Sequence, residues 1–221
     1  MLIHGLLVAH IVVLGYWLGS ELVINSTYRH VSWASSLALA DRNRLMDHVM
    51  HVDQHVRYAL VLQFALGFSL VFLLGYLPGG KQGAVITAFL GVCWLVLVEL
   101  THALRKRPVG TSLAALDRGI RYLLMAGLVV LAVAALSGQA GLPSWLAWKL
   151  VCFAAVMACG VGIRLVLVRL FVVWKELPAT GSAPAIEEAI RSIYWKATSV
   201  LYLLWVFIAA IVWLSVFKPS L

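Results

Sequence analysis

The chain has 221 residues, 63% of them hydrophobic and only 12% charged, with a mean hydropathy of +0.97. Soluble domains of this length are about half apolar and a quarter charged, so a soluble enzyme or binding module is excluded and an integral membrane protein is expected. The formal net charge is +8, but the cations sit between apolar runs and no basic helix interleaves with exposed aromatics, so the partner expected is a lipid bilayer and not nucleic acid.

Six apolar runs reach the length of about 20 helical residues that crosses a ~30 Å hydrocarbon core. They cover residues 2–24, 56–77, 84–104, 119–136, 145–174 and 194–217. The predicted fold is therefore all-α, a single transmembrane bundle of six helices. The first run has no basic leader and no small-residue cleavage site, and reads as a retained span. Residues 25–43 form a polar connector. The second helix is expected to start ahead of its span, near Asp41 or Arg44, and to stop at Leu77-Pro78-Gly79-Gly80, since Pro and paired Gly break helices. Arg105-Lys106-Arg107-Pro108 closes the third, and the Gly-rich stretch 137–143 follows the fourth. The fifth run is too long for one upright crossing and must tilt or project. A Pro/Gly/Ser loop at 177–184 and a short amphipathic piece at 186–190 precede the sixth.

Orientation follows from the basic residues in alternate connectors. Those after the first, third and fifth spans carry Arg29, Arg42, Arg44, Arg105, Lys106, Arg107, Arg118, Lys175 and Arg191, whereas those after the second and fourth carry only Lys81. Both termini are expected outside, in the inner membrane of a bacterium. Cys93, Cys152 and Cys159 lie inside apolar runs without a CxxC spacing, and read as packing residues.

Three of the seven histidines fall within residues 47–57. At about 100° per residue, His48, His51 and His55 share one stripe of a helix. Closely spaced imidazoles suit first-row metals and haem iron. Glu99-x-x-His102 puts a carboxylate and an imidazole on one face of the third helix, at the depth of His55 if the two helices are antiparallel. That makes a composite site of His51 or His55 with His102 and Glu99, in which Glu99 or a histidine would accept protons. The alternative for Glu99 is a structural ion pair with Arg57 or Arg105. A di-iron centre would need a second Glu-x-x-His, which is missing. His10 lies roughly 12 Å into the first span, where an imidazole is costly unless it is bonded or ligated. Lys149, one turn into the fifth span beneath Trp145, is a candidate to hold a haem propionate or polarise a substrate carboxylate. Arg57 is a second candidate for a propionate. Met46 and Met50 flank His48, and with His51 they form a set that suits copper(I).

Two segments carry a family resemblance. His10-Ile11-Val12-Val13-Leu14-Gly15-Tyr16-Trp17-Leu18-Gly19 and Trp145-Leu146-Ala147-Trp148-Lys149-Leu150 resemble the HemJ-type protoporphyrinogen oxidases and the related CopD copper-resistance membrane domains. The matching features are an early histidine followed seven residues on by Trp17 and then Gly, and a Trp-x-x-x-Lys helix start. The ending Phe217-Lys218-Pro219 is similar too. The resemblance implies haem b on His10, with Trp17 and Trp145 beside the cofactor and Lys149 required for activity. It implies removal of hydrogen from protoporphyrinogen, with electrons passed into the membrane chain; the partner expected to receive them is a quinone or another redox partner. The family core has four spans, and neither the histidine stretch nor Glu99-x-x-His102 belongs to its motif. The expected function is thus a membrane redox protein with one haem b or two. A copper-handling protein, or a structural subunit of a respiratory complex, is the alternative; a homo-oligomer or larger complex is compatible with each.

Overall fold

The computed structural model describes residues 1–180 and 182–219. These form seven helices: α1 (Leu2–Trp33), α2 (Leu39–Leu73), α3 (Gly80–Ala103), α4 (Pro108–Leu136), α5 (Ser144–Trp174), the one-turn α6 (Leu177–Thr180) and α7 (Pro184–Phe217). No strand occurs among the described residues. All but α6 are long and apolar enough to cross a membrane. Their exposed side chains include Val8, Ile11, Val12, Phe89, Val92 and Val206, an apolar surface of the kind that lipid solvates.

Several helices run well past the apolar runs that announce them. α1 continues from 24 to Trp33, through about half of the predicted polar connector. No Gly or Pro interrupts residues 25–33, and Tyr28, Val31 and Ser32 are buried there, so packing sustains the helix where hydropathy falls. α4 begins at Pro108 rather than 119, because Pro is well suited to the first turn of a helix. α7 absorbs the piece predicted at 186–190: it starts at Pro184 and buries Glu187 and Ile190 in its first turns. Helices of 31 to 35 residues are roughly 47–52 Å long at 1.5 Å per residue. They therefore tilt or project beyond a ~30 Å core.

The chain divides into two compact units. Unit 1 comprises Met1–Ile24 and His48–Ile120. Within it, α2 and α3 form an antiparallel hairpin, turned by Gly79 (φ 123°) and Gly80 (φ 48°), conformations open to glycine but not to most L-residues. The two helices approach closely. A Cβ at position 91 would lie 2.5 Å from the Ala65 Cβ, and one at position 83 would lie 2.5 Å from Phe72 Cδ1. Gln54 Nε2 donates to the Val98 carbonyl (3.3 Å) and Ser69 Oγ to that of Ala84 (3.2 Å). The first part of α1 lies along α2, with Gln63 Nε2 donating to the His10 carbonyl (2.8 Å). Trp94 of α3 donates to the buried Asp117 of α4 (2.9 Å).

Unit 2 comprises Asn25–Asp47 and Arg121–Leu221. α5 packs on α7. Tyr194 sits between Tyr28 and Trp33, at ring separations of 5.2 and 5.0 Å, and Thr198 donates to Asn25 (3.0 Å). Arg42 and Glu187 form a buried ion pair in this unit.

Candidate functional site

Between Leu39 and Leu66 α2 contains neither Gly nor Pro, so the helical register of its histidines is unbroken. His48, His51, His55 and Tyr58 line one stripe, and the Arg57–Asp53 pair (2.7 Å) braces the neighbouring face at i, i+4. α3 presents Glu99 and His102 to this stripe. The ring centres of His51 and His102 are 6.1 Å apart, at 68°. One turn further along, the Tyr58 hydroxyl donates to Glu99, and the Tyr58 ring stands edge-on to His55 at 6.1 Å. From α1, the Tyr16 hydroxyl and His55 Nδ1 share a hydrogen bond at 2.5 Å. Three helices of unit 1 thus contribute two imidazoles set edge to face, a third imidazole bonded to a phenol, and a carboxylate bonded to another.

Of the residues expected in a composite site, His51 lies beside His102, and Tyr58 stands between His55 and Glu99. Glu99, however, takes Tyr58 rather than an arginine: Arg57 is held by Asp53, and Arg105 donates to His102 (3.2 Å). Among the described residues no three His, Cys, Asp or Glu side chains converge to hold a metal ion by themselves. Haem would make a smaller demand, and His51 and His102, on neighbouring helices with ring centres 6.1 Å apart, are the imidazoles that would hold it. Both His51 and His55 are exposed and His102 is half-buried, so the cluster is open to a ligand arriving from outside the unit.

His10 occupies a different level of unit 1. It precedes Tyr16 by six residues, about 9 Å of helix rise. Its ring faces Gly67 of α2, where a Cβ would lie 3.3 Å from His10 Cε1. This glycine leaves a cradle over the imidazole that any other residue would narrow. Trp17, buried at 3% exposure, is turned to Glu21, to which its indole donates at 3.3 Å. His48 is exposed and Met46 buried. Lys149 and Trp145 belong to unit 2, where Lys149 is half-buried and Trp145 carries Lys218 over its ring at 5.6 Å.

Four residues of unit 1 escaped the sequence reading of the site. Tyr16 and Tyr58 carry no pattern that marks them as partners of His55 and Glu99. Glu21 does carry one, being an acid inside an apolar helix, which calls for a function or a partner; it is only 6% exposed. Asp117 is 2% exposed and receives the Trp94 indole. Compared with protein-family models, with curated proteins and with solved structures, the chain matches none.

Proposed function

We propose that this chain is an integral membrane redox protein that binds haem b and acts by electron transfer or by oxidising a lipophilic substrate. The observation that carries the reading is the His51–His102 pair, two imidazoles from different helices with ring centres 6.1 Å apart, which would hold the haem iron. His10, beneath the cradle left by Gly67, is the candidate for a further haem, as the HemJ-type resemblance implies. Bound haem supplies one-electron chemistry. The chain would supply the rest from unit 1: imidazoles to ligate, Arg57 as a cation for a propionate, and Glu99 and His55 as hydrogen-bonding groups at the open side of the cluster. The basic connectors favour both termini outside, in a bacterial inner membrane.

The visible spectrum and pyridine haemochrome of the purified protein test this. A Soret band is expected, diminished in His10→Ala and in His102→Ala, each of which removes one site. Pure, folded protein that stays colourless after haem is supplied overturns the proposal.

A further inference from the structure

An apolar groove of about 430 Å³ runs along unit 1 between α2 and α3, within the ~300–1,000 Å³ range of small-molecule sites. Leu62 and Leu66 of α2, Ala88, Val92 and Leu95 of α3, and Leu6 of α1 form its walls. The close approach of Gly91 to Ala65 makes its floor. Its one hydroxyl, on Ser69, is already committed to the Ala84 carbonyl. Along α3 the groove extends from Lys81 to Leu95, roughly 21 Å at 1.5 Å per residue.

The groove leads to the polar cluster. Leu62 is one helical turn from Tyr58, and Leu95 is one turn from Glu99. An extended apolar trough therefore ends beside a hydrogen-bonded pair, on the same α2–α3 seam. We propose that unit 1 binds an isoprenoid quinone or hydroquinone, its ring at His55 and Glu99 and its tail in the groove between α2 and α3.

The head of the site already selects phenols. His55 holds the hydroxyl of Tyr16, and Glu99 holds that of Tyr58. The Tyr58 ring stands edge-on to His55 while its hydroxyl meets Glu99. A ring with two para oxygens that displaced both tyrosine hydroxyls would address the imidazole with one oxygen and the carboxylate with the other. His55 and Glu99 are exposed and Tyr16 is 40% exposed, so a membrane-borne ring reaches them without unfolding the unit. The competing occupant is an anionic phospholipid with its phosphate on Lys81, the exposed cation at the opposite end. The phenol-binding groups at the Glu99 end, and the carboxylate there, favour the quinone. The inference rests on the redox reading above and names its lipophilic partner, but binding of ring and tail requires no haem.

The test is binding of decylubiquinol to the full chain in detergent, by equilibrium dialysis, with and without supplied haem. The double variant His55→Asn with Glu99→Gln is expected to weaken binding by roughly tenfold or more, as the imidazole acceptor is lost and the carboxylate's charge-assisted hydrogen bond becomes a neutral one. Tyr58→Phe removes the internal competitor for Glu99 and is expected to tighten it. Ala88→Phe fills the groove, weakening the decyl-tailed probe but not a tailless hydroquinone, and Lys81→Gln is expected to leave both unchanged. Unaltered affinity in the double variant overturns the proposal. So does displacement of the probe by phosphatidylglycerol that is abolished by Lys81→Gln. Probe binding to a protein that takes up no haem refutes the redox reading and leaves this site standing; haem uptake without probe binding does the reverse.

Discussion

Arg42→Ala removes the centre of the polar network in unit 2. Arg42 is 1% exposed and Glu187 4%. Nη1 lies 2.6 Å from one carboxylate oxygen and Nη2 3.1 Å from the other, and Nη2 also donates to the Val31 carbonyl at 3.3 Å. The guanidinium lies over the Trp174 ring at 5.1 Å, and the Trp174 indole donates to Asn43 at 2.8 Å. The end of α1, the start of α2, the end of α5 and the start of α7 are thereby tied at one point. Without Arg42, the Glu187 carboxylate stays buried with Ser182 and Arg191 as its remaining polar neighbours. Removing one member of such a pair costs about 3–5 kcal/mol, most of it the penalty of the stranded charge. Glu187→Gln keeps an acceptor for the guanidinium and is expected to cost less, about 1.5–3 kcal/mol, the worth of a charged hydrogen bond. Arg42→Met combined with Glu187→Leu strands no charge, only the Val31 carbonyl, and is expected to cost less than Arg42→Ala, about 1–3 kcal/mol. Reversible unfolding in mixed detergent and SDS micelles measures all three, and with the singles Arg42→Met and Glu187→Leu it closes a double-mutant cycle. A loss below about 1 kcal/mol for Arg42→Ala, or single losses that simply add in the double variant, would refute the assignment of this pair as a buried tie.

Gly91→Val drives a side chain into Ala65, whose Cβ already lies 2.5 Å from an added Cβ. Overpacking of this kind costs about 1–3 kcal/mol, and the same micelle titration should show it, with Gly119→Ala, which meets nothing within 4 Å, as the silent control. Trp94→Phe strips the indole N–H from the buried Asp117 and should cost about 1–3 kcal/mol, unless Asp117→Asn in the same background recovers none of it. Glu21 has a carboxyl at 6% exposure, one hydrogen bond from Trp17 and no ion pair among the described residues. Since a buried unpaired charge is costly and a neutral amide keeps the acceptor, Glu21→Gln should match or exceed the parent in stability while Glu21→Ala falls below it; a Gln variant less stable than the Ala variant would contradict this.

The parts of the site legible in the sequence were those that depend on one helix at a time. His48, His51 and His55 share a stripe because the α-helical period puts them there, and Glu99 with His102 follows the same rule. That the two sets meet required only an antiparallel hairpin, which the Pro/Gly turn between the second and third runs announced. The partners of Glu99 and His55 were not legible. Arginines at 57 and 105 were the obvious choices for Glu99, yet each is taken by a residue three or four positions away on its own helix, Asp53 and His102. Tyr58 was left to fill the place.

Membrane residence and six long helices were decided by the sequence alone, because hydropathy is a local sum and a ~30 Å core demands a minimum apolar length whatever the helices touch. Where those helices end was decided by tertiary structure. Burial of Tyr28 and Val31 carries α1 beyond its apolar run, and burial of Ile190 does the same for the start of α7. Which residues face one another across helices was decided there too: Gly91 against Ala65, Gly67 over His10, and Arg42 with Glu187, 145 positions apart. Such contacts depend on how closely two helices approach and how each is rotated about its axis, and no periodicity within a single helix encodes either.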